Sequence, residues 1–197
     1  IGDSLVLLTQ SHRSKDAPAL GQLADAVNRG SVPDTLAACR GTGITFASPA
    51  AAELPAHVAE QAVAHWRAYG EACLAADPLR ASEAFDAFRV LCATREGPQG
   101  VVEVNRMVER ALRDAGLLRP GEQHYEGRPV LVTRNDYGIH LFNGDIGFVL
   151  RAADASGRKS LRAFFVTGGA PAGSPGGEQP PQVRSVSLNR LPPHETA

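Results

Sequence analysis

Two short polar loops carry most of the chemistry that can be read from this chain. The first is Gln10-Ser11-His12-Arg13, placed directly after the apolar run Leu5–Thr9. Loops at the carboxyl ends of strands line the ligand crevice of open α/β sheets, and a guanidinium there can reach a bound phosphate. On spacing alone, an ordinary surface arginine is the preferred reading of Arg13. The second loop is Arg95-Glu96-Gly97-Pro98-Gln99-Gly100, which precedes a helical pattern containing Asn105. Gly97 and Gly100 leave room for a close backbone approach, and a helix N-terminus favours anions. A plain connecting loop is the alternative. Arg134 and Asn135 close a later strand-like run and are a further polar group at a strand end.

Other chemistries find little support. Lys15 follows Ser14 and Lys159 follows Arg158, so neither stands in a GxxxxGK[ST] phosphate loop, and no GxGxxG links a strand to a helix. The sequence therefore contains no self-sufficient nucleotide site. His57, Gln61 and His65 share one helical face, but a zinc site needs a further ligand and an HExxH-like spacing. No metal site is expected. Cys39, Cys73 and Cys92 lie far apart and form no CxxC pair, as in a chain kept reduced.

The elements that must position these residues follow from periodicity. Leu5–Thr9, Ile44–Ala47 and Phe88–Ala93 are short apolar runs expected to be strands. Ala19–Asn28, Glu53–Ala76, Ala81–Ala87 and Val101–Ala115 have helical spacing, with Gly30 and Gly116 as stop signals. Strands alternating with helices predict a doubly wound parallel sheet. After Pro120 the helical period disappears. Pro129–Thr133, Ile139–Phe142, Ile146–Leu150, Leu161–Val166 and Val183–Leu188 read as five strands, with a tight turn at Asn143-Gly144 and a Gly/Pro-rich loop over 167–182. Five short strands in this space predict a small barrel. The expected domains are 1–122 and 123–197.

Composition sets the outer limits. The chain has 197 residues, 43% of them hydrophobic and 21% charged, which is ordinary for a globular protein. Twenty basic residues against twenty-one acidic ones exclude a uniformly basic nucleic-acid coat. No run approaches the roughly 18 apolar residues of a membrane span. Nothing resembles a secretory leader, and the first residue, Ile1, suggests a piece of a longer chain.

In order, the segments LVLLTQSHRS, LGQLADAVNRG, FRVLCATREGPQGVVEVN, YEGRPVLVTRNDYGIHLFNGDIGFVL and RLPPHETA resemble the C-terminal part of the RecD family. These are the α chains of exodeoxyribonuclease V, superfamily 1 DNA helicases that move 5′ to 3′. The resemblance covers nearly the whole chain, with gaps in 31–85 and 151–182. It implies an α/β fold, namely the second RecA-like motor domain with an SH3-like β-barrel inserted. It also implies ATP and Mg2+ as cofactors of the full-length protein, with none held by this piece alone, because the phosphate loop would lie upstream. Arg13 is then the arginine that reaches across the cleft to the γ-phosphate, with Gln10 beside the nucleotide. Arg95, Gly97, Gly100, Asn105, Arg134 and Asn135 are then contacts to single-stranded DNA. The implied partners are RecB-like and RecC-like subunits, no membrane is involved, and the location is the bacterial cytoplasm. Ser-His-Arg-Ser departs from the Phe-Arg-Gln expected of stand-alone RecD-like helicases, which favours a three-chain complex. A stand-alone or relaxase-type helicase and a non-motor protein-binding adaptor are the alternatives.

Overall fold

The computed structural model describes residues 17–41, 43–119, 121, 124–153, 157–167 and 180–197. The expected strand Leu5–Thr9, the loop carrying Gln10 and Arg13, and most of the Gly/Pro-rich stretch lie outside the described residues. The chain divides into two compact units, Ile1–Ala50 and Ala51–Ala197.

The described part of the first unit is a pair of helices, α1 (Pro18–Asn28) and α2 (Val32–Ala38). Helix α1 starts on a proline and ends before Gly30, whose φ of 68° suits a residue without a Cβ. Ser31 then caps α2, its hydroxyl accepting from the Asp34 amide at 3.4 Å. Helix α2 was not expected from periodicity.

The second unit packs three helices on a sheet. Helix α3 (Leu54–Leu74) buries Ala62, Trp66, Tyr69 and Cys73, one stripe at helical spacing. Helix α4 (Pro78–Asp86) opens on Asp77, whose carboxylate accepts from the Leu79 and Arg80 amides at 3.2 and 3.1 Å, and it buries Ala81 and Phe85. Helix α5 (Val101–Asp114) buries Val104, Ala111 and Leu112 and stops at Gly116.

The strands are β1 (Pro129–Val132), β2 (Ile146–Ala153), β3 (Lys159–Thr167), β4 (Gln182–Ser187) and β5 (His194–Thr196). They form one antiparallel sheet in the order β4-β3-β2-β1-β5, with a 3₁₀ turn at Leu188–Arg190 before β5. Strand β2 is buried on both faces. Phe148 and Leu150 join the core under α3 and α4, while Val149 joins Val130, Val132, Ala163 and Phe165 on the other face. A strand covered on both sides has no need of polar alternation, which explains the continuous run IGFVL.

Several expectations are corrected here. Ile44–Ala47 and Phe88–Ala93 are not strands among the described residues, and the sheet that is described is antiparallel, not doubly wound. Neither run has a neighbouring strand to complete its ladder, and Leu91 is 92% exposed. Ile139–Phe142 is a turn closed by the single bridge Asp136–Leu141. Gly144, with φ 98°, does make a tight turn, the Asp145 amide donating to the Phe142 carbonyl at 2.9 Å. That turn sits within the long β1–β2 connection and does not join the two strands directly. The helices and the sheet share one unit, since Phe85 and Tyr69 both meet Phe148 edge-on, at ring-centre distances of 5.4 and 5.6 Å.

Candidate nucleic-acid interface

The loop from Thr94 to Gly100 is tightly organised. The Val101 amide donates to the Thr94 carbonyl at 3.1 Å and the Val102 amide to the Arg95 carbonyl at 3.3 Å. The Glu103 and Val104 amides both turn back to the Gly100 carbonyl. The first-turn donors of α5 are thus occupied by the loop itself, so the helix end offers no vacant row of amides to a phosphate. Gly100 is buried, and a Cβ on it would fall 2.5 Å from the Glu96 carbonyl oxygen. Its missing side chain serves the fold of the loop. Gly97, with φ 92°, has open space on its Cβ side.

Arg95 is exposed and forms an ion pair with Glu195 on β5, a residue one hundred positions away. Asn105 lies one turn into α5 and lines a cleft with Trp66, Glu109, Tyr125 and Thr196. That cleft encloses about 40 Å³, room for a water molecule and far short of a nucleotide. Arg95 and Asn105 therefore both face β5, Arg95 through Glu195 and Asn105 across the cleft from Thr196.

Arg134 and Asn135 stand on the connection 133–145. Both are exposed. The Asn135 side-chain oxygen accepts from the Asn143 amide at 2.8 Å, and its nitrogen donates to the Tyr137 hydroxyl at 3.3 Å. Asp136 accepts from the Gly138 and Ile139 amides, and Asp145 from the Phe142 amide at 2.8 Å. From β4, Arg184 donates to the carbonyls of Ile139 at 2.8 Å and His140 at 3.1 Å. Leu141 is fully buried beneath. The loop is pinned from below, yet Tyr137 remains 72% exposed and Phe142 42% exposed. Sequence reading missed Tyr137, Phe142, Arg184 and Glu195. Two aromatics inside the turn-rich string NDYGIHLFNGD were a usable signal for the first pair. Glu195 had none.

The remaining polar groups form structural arrangements. Glu126, 4% exposed, lies between Arg119 at 3.3 Å and Arg151 at 3.6 Å. His65 stacks flat on Phe88 at 4.2 Å. His124 sits 5.7 Å from His194, and burial, with Arg128 nearby, lowers its pKa. No group of three or more metal-capable side chains occurs among the described residues. No described helix is long and apolar enough to cross a membrane.

An α/β chain with polar, arginine-bearing loops around an antiparallel sheet is the class defined so far. No family model matches the chain. Curated relatives narrow it. The chain is 36% identical over 149 residues to the RecBCD enzyme subunit RecD of Mycolicibacterium smegmatis, covering 75% of this chain and 26% of that protein. It is 45% identical over 80 residues to the subunit of the same name from Mycobacterium tuberculosis, 41% of this chain and 13% of that one. The Haemophilus influenzae subunit is 33% identical over 115 residues, 57% of this chain and 14% of the relative. The chain is a homologue of the RecD subunits of RecBCD enzymes, as the ordered motifs suggested. It spans about a quarter or less of the length of these relatives.

Proposed function

We propose that this chain is part of an ATP-driven, 5′-to-3′ DNA helicase subunit that works with RecB-like and RecC-like partners in double-strand break repair and recombination. The observation that carries this reading is the similarity to RecD subunits along three quarters of the chain. ATP and Mg2+ belong to the full-length protein, with Gln10 beside the nucleotide and Arg13 stabilising charge on the γ-phosphate. Single-stranded DNA runs past Arg95, Gly97, Gly100 and Asn105 and past Arg134 and Asn135, held chiefly through phosphates because a motor cannot depend on sequence. Residues 123–197 are an SH3-like barrel. The strand order, the 3₁₀ turn before β5 and the return of β5 to β1 support that part of the reading. Residues 1–122 belong to a RecA-like lobe whose other strands come from elsewhere in the protein. The site of action is the bacterial cytoplasm.

The test uses the full-length protein purified with and without its partner subunits. ATP hydrolysis stimulated by single-stranded DNA, with unwinding of 5′-tailed but not 3′-tailed duplexes, is the expected result. A full-length protein with no DNA-dependent ATP turnover would sink the motor reading and leave the adaptor. Residues 1–197 alone are expected to show no turnover, since no phosphate loop is present in the sequence.

A further inference from the structure

We propose that Tyr137 and Phe142 form a stacking platform for the bases of single-stranded DNA, on the connection between β1 and β2. The proposal rests on the DNA-motor reading and adds to it a base-contacting surface distinct from the phosphate contacts. The two rings meet edge to face, 73° apart with centres at 5.9 Å, and Tyr137 stays largely exposed while Phe142 is partly so. Here the chain beneath them is fastened by the Asp136–Leu141 bridge, the buried Leu141 and the two hydrogen bonds from Arg184. Rigid aromatic faces bind at low entropic cost, and every base offers a π-face to them.

The charges around the rings select the occupant. The loop's two carboxylates, Asp136 and Asp145, are turned inward onto main-chain amides. The guanidinium of Arg184 lies against the loop between the two aromatics in sequence, and the exposed Arg134 precedes Tyr137 by three residues. Exposed planar rings on a loop that carries the exposed cation Arg134 and turns its carboxylates inward suit a polyanion that carries aromatic bases. They suit an acidic or purely apolar surface less well.

The experiment measures affinity of the full-length protein for a thymidine oligomer and for an abasic oligomer of equal length. It compares wild type, Tyr137→Ala, Tyr137→Phe and Phe142→Ala. Tyr137→Ala should weaken thymidine binding about tenfold or more, the loss of one stacked base, and change abasic binding less than about twofold. Tyr137→Phe, which keeps the ring and loses only the contact with Asn135, should bind as wild type does. Equal losses on both oligomers, or full affinity with lost binding of a partner subunit, would overturn the platform. A wild type that binds neither oligomer would overturn the motor reading as well, whereas normal wild-type binding with an unaffected Tyr137→Ala overturns the platform alone.

Discussion

Arg95 poses the sharpest question at the scale of single residues, because its guanidinium already holds the Glu195 carboxylate. Exposed pairs of this kind contribute only about 0–1 kcal/mol, so a phosphate can exchange for Glu195 at little cost. Arg95→Ala should therefore weaken binding of the full-length protein to homopolymeric single strands and reduce the log–log salt slope by about 0.7. Glu195→Gln should tighten the same binding. Salt titrations of both variants check this, and a wild-type slope in Arg95→Ala would leave the pair purely structural. Arg13→Ala in the full-length protein should lower ATP turnover about 10³-fold while nucleotide affinity stays within about tenfold. Burial governs a third case. It pushes the Cys73 thiol from 9.0 up to about 12 and raises the Tyr69 phenol well above 10.0. The unfolded chain then loses these protons first, so stability is complete below about pH 9 and falls as pH rises toward 12. Melting temperatures between pH 7 and 11 should show this decline, and Cys73→Ala should delay its onset to about pH 10. Arg95 and Arg134 were legible because they end apolar runs. The Glu195 pairing was not, since nothing local announces a contact one hundred residues away.

Helices were the readable elements. The helical stretch Glu53–Ala76 and the stops at Gly30 and Gly116 needed no tertiary information. Strands needed it more. Phe88–Ala93 has the composition of a buried strand, yet a strand exists only where a neighbour completes its ladder. The reverse holds for β5, whose His-Glu-Thr carries no apolar signal and is a strand because β1 offers it a free edge. The turn before α5 makes a prediction at this scale. Gly100→Ala would force the Glu96 carbonyl aside, and the overpacking should cost about 1–3 kcal/mol in a denaturant titration. Gly97→Ala strains only its positive φ, in open space, and should cost less. Equal losses would mean that the loop is not closed as described.

For the molecule as a whole, the change of composition near residue 120 does not coincide with a gap in packing. Phe148 of the sheet meets Tyr69 of α3 and Phe85 of α4, so the helical and β parts of the second unit share a core. Phe148→Ala should remove about 3–5 kcal/mol. Far-ultraviolet helicity and Trp66 fluorescence should then fall in one coincident transition. Two separated transitions would show that the sheet and the helices unfold as independent units. The sheet order also dictates when its parts can assemble. Strand β1 meets β2 through Leu131 and Ile146, but meets β5 only through partners such as Val130 and Thr196. Closing the longer loop costs about 1.3 kcal/mol more chain entropy by the logarithmic law. From a ribosome, the meander β1 to β4 emerges ahead of β5, and until β5 follows one side of β1 waits unpaired. Glu195, the partner of Arg95, arrives with that last strand, so the loop ahead of α5 gains its anchor only after the rest of the sheet has emerged.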